Sequence, residues 1–116
     1  MNPSVSLARP GDIGVAPFPF AHLSGAKRRP VLILAAGGRG DYVVAFITSQ
    51  PQPVSFDNIL IEPSDPEFAQ TRLVTSSTVR VSRLATLNES VFLGRLGRIG
   101  PATEARVRTA LRLMFF

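Results

Sequence analysis

The chain has 116 residues, 45% of them apolar and 18% charged, with no cysteine, one histidine and a formal net charge of +5 at neutral pH. That length suits one domain with its own core, and the balance of apolar to charged residues excludes a disordered chain. The lack of cysteine excludes a disulfide scaffold, a thiol nucleophile and thiolate zinc, and the single His22 excludes a histidine-rich metal centre or a histidine-pair nuclease within one chain.

The charge is unevenly placed. Residues 1–71 carry five basic side chains against six acidic ones, a net of −1, whereas residues 72–116 carry eight arginines against Glu89 and Glu104, a net of +6. Lys27 is the sole lysine. The planar guanidinium fork fits phosphate oxygens in bidentate fashion, so this composition points to a polyanion or to an acidic protein partner. The longest apolar runs, near Val31–Ala36 and Val43–Ile47, are too short to span a bilayer. Met1–Pro10 lacks a signal-peptide core and reads as a mobile leader. A cytoplasmic protein without a membrane partner is expected.

Asp12–Ala16 reads as a short strand, apolar at Ile13 and Val15, and Pro17 and Pro19 end it. Phe18 and Phe20 flank Pro19 and either pin the loop to the core or line a groove. Ala21–Arg29 is polar around Gly25, a loop. Val31–Leu34 is continuously apolar, a strand buried on both faces, and Gly37–Asp41 turns the chain into a second strand over Tyr42–Ile47. Asn58–Glu62 is a short strand, and a helical turn fits Asp65–Ala69. Leu73–Val81 holds one or two strands, Arg83–Leu87 a further short segment, and Val91–Ile99 a strand bent at Gly94 and Gly97. Pro101 opens a helix running to residue 114, with Glu104 in its first turn and Val107, Ala110, Leu111 and Met114 on one face. These elements predict a mainly β fold: a small, strongly bent antiparallel barrel, residues 1–116 as one domain, with a C-terminal helix packed on it.

Five motifs then fall in a telling order: Gly11-Asp12 with Phe18-Pro19-Phe20; Lys27-Arg28-Arg29-Pro30 before an apolar strand; Ile47-Thr48-Ser49-Gln50; Ser77-Thr78-Val79-Arg80 followed by Leu84-Ala85-Thr86-Leu87; and Gly94-Arg95-Leu96 before the last helix. In this order they resemble the MazF/PemK/Kid toxins of bacterial toxin–antitoxin pairs, over roughly residues 10–112. The resemblance implies an SH3-like barrel of the CcdB/MazF/Kid kind, usually a homodimer, that cleaves single-stranded RNA with no metal and no cofactor. The 2′-hydroxyl attacks the adjacent phosphate, leaving a cyclic phosphate and a 5′-hydroxyl. It also implies a cognate antitoxin that blocks the RNA groove.

Carried over residue by residue, the resemblance assigns Arg29 to the scissile phosphate, where a fixed guanidinium stabilises the charge of a pentacoordinate phosphorane. Thr48 becomes a hydroxyl donor to a phosphate oxygen, assisted by Ser49, Gln50 an RNA-binding group, and Arg80 a catalytic or RNA-binding cation. His22, with the only neutral-range pKa, suits removal of the 2′-hydroxyl proton. Lys27 and Arg28 suit phosphate positioning, and Phe18 and Phe20 suit stacking of an RNA base or core packing. Ser82 stands where the Kid-like branch has an aspartate. The same residues leave two other readings open: a barrel toxin that binds a protein such as DNA gyrase, and a nucleic-acid binder without catalysis.

Overall fold

The structure is a computed structural model that describes residues 9–17 and 28–116. Six antiparallel strands form one sheet in the order β4-β5-β3-β2-β1-β6. They are β1 (Asp12–Pro17), β2 (Arg28–Ala36), β3 (Asp41–Thr48), β4 (Asn58–Ile61), β5 (Ser77–Asn88) and β6 (Gly94–Arg98), with a short helix α1 (Phe68–Thr71) and a long one, α2 (Pro101–Phe115). The sheet curls into a half-barrel, the mainly β architecture with a C-terminal helix that the sequence predicts.

The central strands β2 and β3 explain their unbroken apolar runs. Val31 and Ile33 join Tyr42, Val44 and Phe46 in one buried cluster. Leu32 joins Ala45 and Ile47 in a second, with Val107 and Ala110 of α2. Successive side chains point to opposite faces, so a strand covered on both sides must be apolar at every position. Each fully buried leucine, isoleucine or valine here contributes about 1.5–3 kcal/mol from removal of its surface from water. The turn between the two strands is a tight 3-10 segment, Gly38–Gly40, with Arg39 at φ 61° and Gly40 at φ 76°.

Two expectations need correction. The segments placed at Leu73–Val81 and Arg83–Leu87 are one twelve-residue strand, β5. Its pairing with β3 jumps from Ala45↔Leu84 to Phe46↔Arg80. Val81, Ser82 and Arg83 therefore stand opposite no residue of β3, and this bulge breaks the period-two pattern that would otherwise announce one strand. The strand expected over Val91–Ile99 begins only at Gly94, because Glu89–Val91 is a 3-10 turn capped by Asn88, whose Oδ1 accepts from Ser90 N at 3.0 Å. The register of β6 against β1 slips between Ile13 and Gly14, leaving Leu96 as an extra residue between the expected bend points Gly94 and Gly97.

Long-range polar contacts lock the ends. Asp12, 1% exposed, takes Arg98 Nη1 at 2.8 Å and Arg95 Nε at 3.4 Å, so the Gly11-Asp12 motif ties β1 to β6. Gly100, the N-cap of α2, has no side chain to offer, and Glu67 caps the helix instead, accepting from Ala102 N at 3.0 Å and Thr103 N at 3.3 Å. Among the described residues no helix is long and apolar enough to cross a membrane.

Candidate functional site

Cross-strand register builds the site. Val31 pairs with Phe46, so the same antiparallel register carried two residues on sets Arg29, at the start of β2, across from Thr48 at the end of β3. Phe46 pairs on its other side with Arg80 of β5. Directly opposed residues share a face, as do residues two apart in a strand. Arg29, Phe46, Thr48 and Arg80 therefore lie on one face of three neighbouring strands, away from the face that α2 covers. The bulge in β5 adds Ser82 and Arg83 beside them. Together with Gln50 and Gln52 of the following loop they line an open cavity of about 580 Å³.

The chemistry of this lining is that of an anion site. Three guanidinium groups, one hydroxyl from Thr48, one from Ser82 and two amides face it, and none of the described lining residues is acidic. Arg80 Nε is buried without a hydrogen-bond partner. Leaving such a donor unsatisfied costs about 1–3 kcal/mol, which an incoming oxyanion relieves. The Thr48 Oγ1 atom accepts from Gln50 N at 3.0 Å. That bond occupies one lone pair and leaves the hydroxyl hydrogen as a donor. Gln52 Nε2 in turn donates to Gln50 O at 3.3 Å, bracing the loop.

Residues 9–115 match the profile of a protein family, the PemK-like, MazF-like toxins of type II toxin–antitoxin systems. The chain belongs to that family. None of the curated proteins matches it in sequence. Solved structures share its fold. An endoribonuclease in complex with its cognate antitoxin, from a mycobacterial species, superposes with a TM-score of 0.66 at 24% identity over 90% of each chain. The Mycobacterium tuberculosis toxin MazF-mt6 does so with a TM-score of 0.69 at 22% identity over 92% of this chain and 96% of its own. MazE–MazF from Deinococcus radiodurans gives a TM-score of 0.65 at 19% identity over 92% and 94%.

Of the residues singled out in this MazF-like chain, the fold brings Arg29, Thr48, Gln50 and Arg80 to one cavity. Ser49 faces a neighbouring groove of about 900 Å³, between the loop after β3, β4 and α2. Arg28 is exposed at the first position of β2 and is not part of the lining. His22, Lys27, Phe18 and Phe20 lie outside the described residues. Gln52, Arg83 and Asp57 had drawn no attention in the sequence. Asp57 immediately precedes β4, and the hydroxyls of Ser55 and then Ser82, with the Arg80 guanidinium nearby, hold its carboxyl below the usual aspartate value. The Ser55 Oγ donates directly to Asp57 Oδ1.

Proposed function

We propose that this toxin is an endoribonuclease that cuts single-stranded RNA by transesterification, acting in the cytoplasm and held in check by a cognate antitoxin. The 2′-oxygen attacks the adjacent phosphorus, the bond to the 5′-oxygen breaks, and a 2′,3′-cyclic phosphate and a 5′-hydroxyl are left. Arg29 and Arg80 offset the charge that grows on the phosphoryl oxygens, and Thr48 donates a hydrogen bond to one of them. Gln50 and Gln52 hold the Thr48 turn. Arg28, Lys27 and Ser49 engage the flanking strand, Phe20 stacks a base, and His22 is a candidate to accept a proton.

The observation that carries this reading is the register that sets Arg29, Thr48 and Arg80 on one face around one cavity. Preorganised donors of this kind are worth about 10²–10³ in rate each when aimed at developing charge. Two related structures support the antitoxin: one is an endoribonuclease with its cognate antitoxin, the other is MazE–MazF. A homodimer, usual for such barrels, is proposed with it.

The test is incubation of the purified protein with a long single-stranded RNA in EDTA, followed by mapping of new 5′ ends. Cuts at a short recurring sequence, reduced about 10²–10³-fold in a folded Arg29→Ala variant, are the expected result. Intact RNA across a wide range of protein would reject the ribonuclease and turn the search to a protein target such as gyrase.

A further inference from the structure

Cross-strand register carries the face of the arginine-lined cavity on to the edge strand β4. Phe46 pairs with Arg80, and Arg80 with Asn58; Thr48 pairs with Thr78, and Thr78 with Leu60. Opposed residues share a face, so Asn58, Thr78 and Leu60 continue the face that holds Thr48 and Arg80. All three line the neighbouring groove of about 900 Å³. The groove and the cavity share Gln50 and Gln52 in their linings and so adjoin. Their chemistry differs. Phe56 leaves 55% of its surface exposed at the groove, and Leu60 41%. Amides and hydroxyls surround this apolar surface, with one cation, Arg106 of α2, whose Nη1 donates to Leu60 O at 3.1 Å. None of the described lining residues is acidic, and Asp57, although between Phe56 and Asn58 in sequence, is not part of the lining. Asn58 Nδ2 donates to Pro53 O at 3.0 Å. A carbonyl can only accept, so this bond fixes which way the amide points and leaves Asn58 Oδ1 as an acceptor.

We propose that this groove is a nucleobase subsite, in which a base flanking the cut phosphate stacks on Phe56 while Asn58 Oδ1 accepts a hydrogen bond from its exocyclic amine. The proposal rests on the endoribonuclease reading. Where the cavity offers charge to a phosphate, the groove offers an aromatic face and a hydrogen-bonding edge to the next base along. The aromatic face takes any base, because every base has a π-face. The acceptor discriminates, since adenine and cytosine present an amino donor where hypoxanthine and uracil present an oxygen. The groove thereby sets part of the sequence at which the chain cuts. Its carboxylate-free lining and its continuity with the phosphate cavity favour a segment of the same polyanion over a second copy of this chain, which carries a net charge of +5.

The experiment compares the wild-type chain with Phe56→Ala, Phe56→Leu and Asn58→Ala on one RNA with a mapped cut, an abasic nucleotide being placed at each flanking position in turn. Affinity is measured on the same RNAs carrying 2′-deoxy sugar at the cut, kcat on the cleavable ones, and the mass of each protein by light scattering. At one flanking position the abasic nucleotide should lower wild-type affinity about 10-fold and cost Phe56→Ala nothing further. Phe56→Leu should fall between the two, and kcat at saturating RNA should stay close to the wild-type value in all three variants. At that same position the wild-type chain should prefer cytidine to uridine and adenosine to inosine by about 2–10-fold, and Asn58→Ala should level both preferences. Wild-type affinity in Phe56→Ala would overturn the subsite. So would abasic losses that multiply with the Phe56→Ala loss at every position, or amino-over-oxo preferences that survive Asn58→Ala. A wild-type dimer that becomes a monomer in Phe56→Ala would give the groove to a second copy instead. Failure of the wild-type chain to cut RNA would reject the endoribonuclease itself, a result separate from these.

Discussion

Thr48 caps the turn by accepting from Gln50 N, and in the proposed reaction the hydrogen of the same hydroxyl goes to a phosphate oxygen. Thr48→Ser should retain most activity. Thr48→Val, of nearly the same shape, should lower kcat about 10²-fold with modest loss of stability, checked by single-turnover cleavage beside a urea melt. Asp57 makes a second prediction, in stability. Its carboxyl titrates below the ordinary 3.8 in the folded chain, first because of the Ser55 hydroxyl. A depressed folded pKa contributes stability that is fully present above the unfolded value and is lost as the pH falls through the folded one. Asp57→Asn should therefore flatten the pH dependence of stability below about pH 4 and leave it alone near neutrality. Arg29, Thr48 and Arg80 were legible in the sequence because each sits in a short local motif. Asp57, Gln52 and Arg83 were not, because their place depends on the pairing of β4 with β5 and on a three-residue bulge.

At the scale of elements, the strands that alternate or run continuously apolar were readable, and the interrupted ones were not. β2 and β3 carry their burial in their sequence, whereas β5 conceals its continuity behind Val81-Ser82-Arg83. Helix α2 was legible at its start from Pro101 and along its buried face from Val107 and Ala110. Its cap was not, since Glu67 lies 35 residues before Ala102. Glu67→Ala should cost about 0.5–2 kcal/mol, measured by denaturant unfolding, while Glu67→Gln should recover part of it by accepting through its amide oxygen. Gly100→Ala should cost about as much as that cap loss, because a Cβ there would push the Glu67 carboxylate off the helix start.

For the whole molecule, one sheet separates two tasks. One face carries the core shared with α2, including Leu32, Ala45, Ile47, Val79 and Val81. On the other, the cluster around Phe46 runs into the arginine-lined cavity. Leu32→Ala should destabilise the chain by about 2–5 kcal/mol through the cavity it leaves, and at temperatures where the variant stays folded its RNA affinity should hardly change. The arginine variants should behave in the opposite way. If Arg29, Arg80 and Arg83 each neutralise one phosphate, single alanine substitutions should each lower the slope of log affinity against log salt by about 0.7 for single-stranded RNA, with unfolding midpoints close to that of the parent chain. The net +6 of residues 72–116 was visible in the sequence, but its convergence with Arg29 on one cavity required the fold. The deciding measurement is the mass of the upstream RNA fragment after cleavage by the purified toxin in EDTA. A fragment ending in a 2′,3′-cyclic phosphate, absent when the nucleotide at the cut carries 2′-deoxy sugar, is the predicted result. A fragment ending in a 3′-hydroxyl, or cleavage indifferent to the missing 2′-hydroxyl, would contradict the attack this cavity is proposed to catalyse.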